Sequence, residues 1–178
     1  IKENMLGPFD VFPRLNTDRL VLRKLLPEDL PALIKNVNNP VIAANVINIP
    51  YPYGEPDAAF RLAFVHQGFV QQLRVVFALA KKDTNEVIGE AGIHFSKDRK
   101  SAEMGYWLGE SYWGKDYTTE AVRTILDYGF RVHHLEMIYA ICKDDNLGSQ
   151  RVAEKSGMLV YSRSDGMVRY AIQNKENL

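Results

Sequence analysis

A single cysteine, Cys142, in 178 residues excludes an intrachain disulfide and any multi-cysteine zinc site, and agrees with a reducing compartment. Neither sign of charge is in excess. Lysine plus arginine and aspartate plus glutamate both number 22, so no global field draws the chain to nucleic acid or to an anionic membrane, and any polyanion must be held locally. No apolar run reaches the roughly 20 residues that span a bilayer, and the first residues lack a signal-peptide core; the expected location is the cytoplasm. His66, His94, His133 and His134 lack the spaced partners of a zinc site, and no metal is expected. The adjacent pair His133-His134 instead reads as cationic support for the negative end of a helix. Repeats, linkers and low-complexity tracts are missing as well. What remains is a chain of 46% hydrophobic residues, enough for one globular core.

Periodicity orders that core. Leu20-Val21-Leu22-Arg23-Lys24-Leu25 is a short strand after Thr17-Asp18-Arg19, and residues 1–16 read as an N-terminal extension before a domain at 17–174. Pro27-Glu28-Asp29 opens a helix with a buried face of Leu30, Leu33, Ile34 and Val37. Residues 40–56 hold four of the eight prolines, Pro40, Pro50, Pro52 and Pro56, and read as a loop. A second helix is expected from Asp57 to Gln72, with Ala59, Phe60, Ala63, Phe64, Phe69 and Val70 inward. Residues 75–80 and 87–95 form a hairpin, and 102–108 a third strand. From Tyr117 to His133, Ala121, Val122, Ile125, Leu126, Gly129 and Val132 keep helical spacing. A strand at 137–142, a helix at 146–155 closed by Gly157, and a hairpin of 159–162 and 167–172 around Asp165-Gly166 complete the chain. That hairpin leaves a strand that could pair between two copies as a homodimer.

Two segments carry chemistry. Gly105 to Ala121 runs from an apolar strand through a glycine-containing basic turn into the long helix, whose unpaired first N–H groups and positive dipole end suit a diphosphate. Asn146-Leu147-Gly148-Ser149 opens the next helix after a second strand. Together with Thr17-Asp18-Arg19-Leu20-Val21-Leu22-Arg23, which is similar to a "T-x-R-L-x-L-R" opening, these segments resemble the GNAT superfamily of acyl-CoA N-acyltransferases, closest to its RimJ/RimL-like branch, along nearly the whole chain.

The resemblance implies an α/β (α+β) single domain whose mixed, mostly antiparallel twisted sheet is splayed at its centre and flanked by helices. Pantetheine of acetyl-CoA would lie between the strands at 102–108 and 137–142, against Tyr106, Trp107 and Leu108. Gly114, Lys115, Asp116, Tyr117, Thr118 and Thr119 align with the family's diphosphate loop. Asn146 would contact pantetheine, and Ser149 would lie near the sulfur. Asp116 departs from the family pattern, which has glycine there. It either N-caps the helix or brings a carboxylate to the phosphate site, offset by Lys115; weakened but retained CoA binding is expected.

The implied reaction moves acetyl to a primary amine, most readily a protein N-terminal α-amino group. Its pKa of about 7.7–8 leaves part of it neutral at pH 7, whereas a lysine amine near ~10.4 is not. Glu103, alternating with Met104 on an otherwise apolar strand, is the leading general base and Glu90 the second choice; a solvent-facing carboxylate is the plainer reading of Glu103. Ser149 is a candidate proton donor to sulfur, with Tyr106 or water able to serve. A small amine acceptor (polyamine, aminoglycoside or amino acid) and a CoA-binding interaction module remain open. Pro50-Tyr51-Pro52-Tyr53-Gly54-Glu55 would border the acceptor pocket. Cys142 reads as a buried strand residue.

Overall fold

The computed structural model describes residues 6–174; residues 1–5 of the expected extension lie outside them. Eight strands form one sheet: β1 (Leu15–Asn16), β2 (Leu20–Arg23), β3 (Arg74–Lys81), β4 (Val87–Phe95), β5 (Ser101–Leu108), β6 (Met137–Lys143), β7 (Leu159–Ser164) and β8 (Met167–Gln173). Their order is β1-β2-β3-β4-β5-β6-β8-β7. All neighbours are antiparallel except β5 and β6. A parallel neighbour needs a crossover, and α4 (Tyr117–His133) supplies it. The architecture is the splayed, helix-flanked mixed sheet that the sequence implies.

The expected stripe on α4 is buried at Ala121, Val122, Ile125, Leu126 and Gly129, but Val132 is 42% exposed. α4 packs on β2, β4, β5 and β6, over a core that includes Leu20, Phe77, Ile93, Ile125 and Ile138. A second core, with Leu33, Val37, Val65, Ala78 and Trp107, lies on the opposite face beneath α1 (Leu30–Val37) and α3 (Glu55–Val70). Phe9 and Phe12, upstream of β1, stack on Phe69, Phe95 and Phe77.

Two local expectations fail for identifiable reasons. Residues 40–56 are not all loop, because Pro40–Asn45 form α2. Asn39 caps it, accepting from the amides of Val41 and Ile42, and Pro40 occupies the first turn, where a missing N–H does no harm. In α3 the buried residues are Ala58, Val65, Gly68 and Phe69, while Phe60 and Val70 are 69% and 78% exposed. α3 is aromatic on both sides, so periodicity alone chose the wrong face.

Buried charge fixes the entry to α1. Arg23 donates from both terminal nitrogens to the Asp29 carboxylate, at 2.7 and 2.9 Å, and Asp29 also accepts from the Leu26 amide. The Asp29 bond raises the Arg23 pKa against the opposing effect of burial. Thr17 and Arg19 of the same opening motif reach instead to Glu120 on α4. The motif therefore clamps the sheet to a helix on each face.

Candidate active site

β5 and β6 lie side by side at only three positions, the last being Glu103 beside Tyr139. From Met104 to Leu108, β5 keeps its β4 partner and has no strand on its other edge. Backbone N–H and C=O groups on such an edge suit an extended, amide-bearing molecule. Across the cleft on the α4 side, the Tyr106 hydroxyl donates to the Ser149 carbonyl at 3.0 Å and shares a 2.9 Å hydrogen bond with Ser149 Oγ. Burial pushes the Tyr106 phenol up to about 12, so it keeps its proton at neutral pH. Ser149 is in the first turn of α5 (Leu147–Lys155), its amide donating to Asn146 Oδ1 at 3.2 Å. Asn146 thus caps the helix that presents Ser149. Cys142 is buried and burial raises its thiol, which makes it a poor nucleophile.

Trp107 and Leu108 do less with their side chains. The Trp107 indole turns to the opposite face and donates to Glu90 Oε2 at 2.8 Å, and the Leu108 carbonyl already accepts from Trp113 Nε1 at 2.7 Å.

At the mouth of α4, Gly114 has φ +71, and a Cβ there would meet nothing within 4 Å. Asp116 takes the left-handed conformation a glycine would supply, φ 61 and ψ 14, and its side chain makes no cap. The carboxylate instead accepts from Lys155 Nζ at 2.6 Å, and that bond chiefly holds its pKa below the usual carboxylate range. Capping by the Asp116 side chain is therefore corrected, as is the partner: Lys115 donates to the Ser111 carbonyl at 3.0 Å. Thr118 and Thr119 are buried in the first turn. The Tyr117 ring lies 4.1 Å beneath the Arg19 guanidinium. Beside this turn is a cavity of about 590 Å³ lined by Thr17, Arg19, Thr119, Arg123 and Lys155 among others.

On the opposite face, Arg74, His94, Glu103 and Tyr139 stand in one row across four strands. Burial, which disfavours charge, raises the Glu103 pKa, and the positive charge of Arg169 opposes it. His94 is pushed down to about 4 by burial and by Arg74 and Arg61, so it is neutral at pH 7. The next occupied row is Glu90 and Trp107, with Gly92 and Gly105 between. A Cβ on Gly105 would meet only His94 Nε2, at 3.8 Å, so the floor there is open. Glu90 is 2% exposed, and its Oε2 holds both Trp107 and Arg61. Such a clamped carboxylate suits a structural post better than a mobile base. Tyr53 is buried in the second core, whereas Tyr51 is exposed.

Three participants escaped the sequence reading: Lys155 as the partner of Asp116, the Tyr106–Ser149 bond, and Arg169. Alternation along 137–143 would have placed Tyr139 on a face, but not beside Glu103. The His133 reading is also corrected. Burial lowers its pKa to about 4 and its ring bonds Tyr128 Oη at 2.8 Å, so it is a neutral core residue rather than a helix-end cation.

Residues 19–159 match the acetyltransferase (GNAT) domain family. The N-acetyltransferase p20 of Bacillus licheniformis is 30% identical over 151 residues, 82% of this chain and 84% of that one. A ribosomal-protein-serine acetyltransferase of Escherichia coli is 29% identical over 86 residues, 48% of this chain and 47% of that one. Among solved structures, a RimL ribosomal-protein α-N-acetyltransferase in complex with coenzyme A superposes with TM-score 0.77 at 19% identity, covering 92% of this chain and 98% of that one.

Proposed function

This chain belongs to the GNAT acetyltransferase family, whose members transfer acetyl from acetyl-CoA, and from that premise we propose that its acceptor is the α-amino group of a protein N-terminus. The observation that carries the reading is the cleft that opens beside Glu103, with a carboxylate on one face and the Tyr106–Ser149 pair on the other. The relatives support the acceptor class: one is named for ribosomal-protein serine, another for ribosomal-protein α-amino groups. The same names support the RimJ/RimL-like branch as the reading of this chain.

In this reading the unpaired edge at Tyr106 and Trp107, with Asn146, holds pantetheine. Gly114, Lys115, Asp116, Tyr117, Thr118 and Thr119 surround the diphosphate, drawn to the unpaired amides and positive end of α4. The acceptor reaches the thioester from the Glu103 face. Glu103 takes a proton from the ammonium form, and the freed amine attacks the thioester carbonyl. A C–N bond forms and the C–S bond breaks. Tyr106, directly or through the Ser149 hydroxyl, gives a proton to the departing thiolate and is restored by the second proton that the nitrogen sheds as the amide forms. An acceptor that is already partly neutral at pH 7 asks only modest help of the base.

The test is thiol release from acetyl-CoA with a panel of N-terminal peptides, polyamines, aminoglycosides and amino acids, beside calorimetric titration with CoA. We expect kcat/KM to be highest for a peptide whose only amine is terminal. A polyamine or aminoglycoside turned over faster than every peptide would overturn the acceptor assignment. Absence of heat with CoA would overturn the cleft assignment.

A further inference from the structure

Arg169 on β8 forms no ion pair among the described residues. Its Nε is buried with no hydrogen-bond partner among the described residues. The guanidinium carbon lies over the Tyr139 ring, 4.0 Å from its centroid, and 5.8 Å from that of Tyr161. Tyr139 in turn stands directly beside Glu103 where β5 and β6 part. Ile141, opposite Arg169 on β6, is 42% exposed, and Tyr161 and Leu159 are 63% and 76% exposed. A cation stacked on an aromatic ring keeps its in-plane N–H groups free for an oxygen.

Resting on the reading of Glu103 as the base, we infer that Arg169 is an acceptor-specificity residue that binds the oxygen next to the reacting amine, a peptide carbonyl or a carboxylate. An α-amino acceptor offers that oxygen three bonds from its nitrogen; a simple alkyl amine does not. Glu103 and Arg169 then meet the two ends of one small unit, the ammonium and its neighbouring oxygen. Other groups face Glu103 too: neutral His94 from β4, Tyr139 from β6, and Arg74 from β3 beyond His94, with the Arg61–Glu90 pair four residues along the strand. Of these cations, Arg61 is paired with Glu90, and Arg74, whose Nε also lacks a partner among the described residues, is turned toward α3. Arg74 covers the Phe64 ring at 3.9 Å and donates to its carbonyl.

Arg169→Met keeps the apolar stem over Tyr139 and removes the donors, while Arg169→Lys keeps the charge but not the planar fork. Both are compared with the unaltered protein using a short N-terminal peptide, a free amino acid and butylamine. Each is assayed for turnover and titrated calorimetrically into CoA-saturated protein. Loss of a charge-assisted bond predicts weaker peptide binding by roughly 10–100-fold in Arg169→Met, an intermediate loss in Arg169→Lys, and unchanged butylamine and CoA affinities. Removing the cation also moves the acidic limb of the butylamine pH–rate profile to higher pH, a readout that packing alone would not shift. The amino acid arm tells a carboxylate from a peptide carbonyl. Equal losses for peptide and butylamine, or none for either, overturn the role of Arg169 while leaving CoA binding and acetyl transfer intact. Absence of CoA binding overturns the cleft assignment instead, and the peptide titration into free protein still reads Arg169.

Discussion

The two halves of the sheet are built to different standards. In β3 six of eight residues are buried, with a helix-covered core on each face; in β7 all six are exposed. α4 and α5 cover one face of β6 and β8, and the other face leaves Ile141 and Tyr161 open. The first half is a scaffold whose buried charges are paired, as Arg23 is with Asp29 and Arg61 with Glu90. The second half exposes side chains that a fully packed sheet would hide. The halves part where β5 leaves β6, and Glu103, Tyr106, Tyr139 and Arg169 gather around that point. Packing stops where the proposed acceptor would enter.

The sharpest way to break this contrast is at the boundary. Glu103→Gln should lower kcat/KM by roughly 10²–10⁴ and move the acidic limb of the pH profile to the acceptor amine's own ionisation at about pH 7.7–8, with CoA affinity unchanged by calorimetry. Unaltered kcat would remove Glu103 from the mechanism. Inside the scaffold, Asp29→Ala leaves the Arg23 charge buried and unpaired and should cost about 3–5 kcal/mol in urea denaturation. Next comes acidity. His94 and His133 have folded pKa values of about 4 against 6.5, so between those values the unfolded chain binds more protons than the folded one. Stability should be complete above pH 6.5 and fall as pH drops toward 4. Scanning calorimetry should show a shallower fall for His133→Phe, whose ring suits the surrounding Phe9, Phe95 and Tyr128. Asp116→Gly should tighten CoA a few-fold, because glycine takes the left-handed φ freely and removes a carboxylate from the phosphate site. At the small end, Tyr161→Ser in the open half should change stability by no more than ~0.5 kcal/mol; a larger loss would mean that β7 is not the tolerant edge described.

Much of the scaffold was readable because its signals are local. The α4 stripe repeats along one helix, and the Asp165-Gly166 turn has positive φ at both positions, as a tight hairpin requires. Asn39-Pro40 was misread because proline density suggested loop, although proline after a capping asparagine also starts a helix. The α3 face was misread because both of its sides carry aromatics, and only the sheet beneath decides which is covered. At the site, Glu103 and Ser149 are legible in the sequence by residue type and spacing. Their partners are not: Ser149 bonds Tyr106 from 43 positions away, and Asp116 bonds Lys155 from 39.

What the chain's own pattern determined is the family, the element order, and a helix mouth suited to phosphate, since hydrophobic period, caps and turn residues act over a few neighbouring positions. Only the tertiary structure decided that β5 and β6 part at Glu103, that Lys155 draws the Asp116 carboxylate aside, and that Arg169 stacks beside the opening. Those outcomes depend on strand register and on side chains distant in sequence meeting in space, and a local pattern carries no record of either.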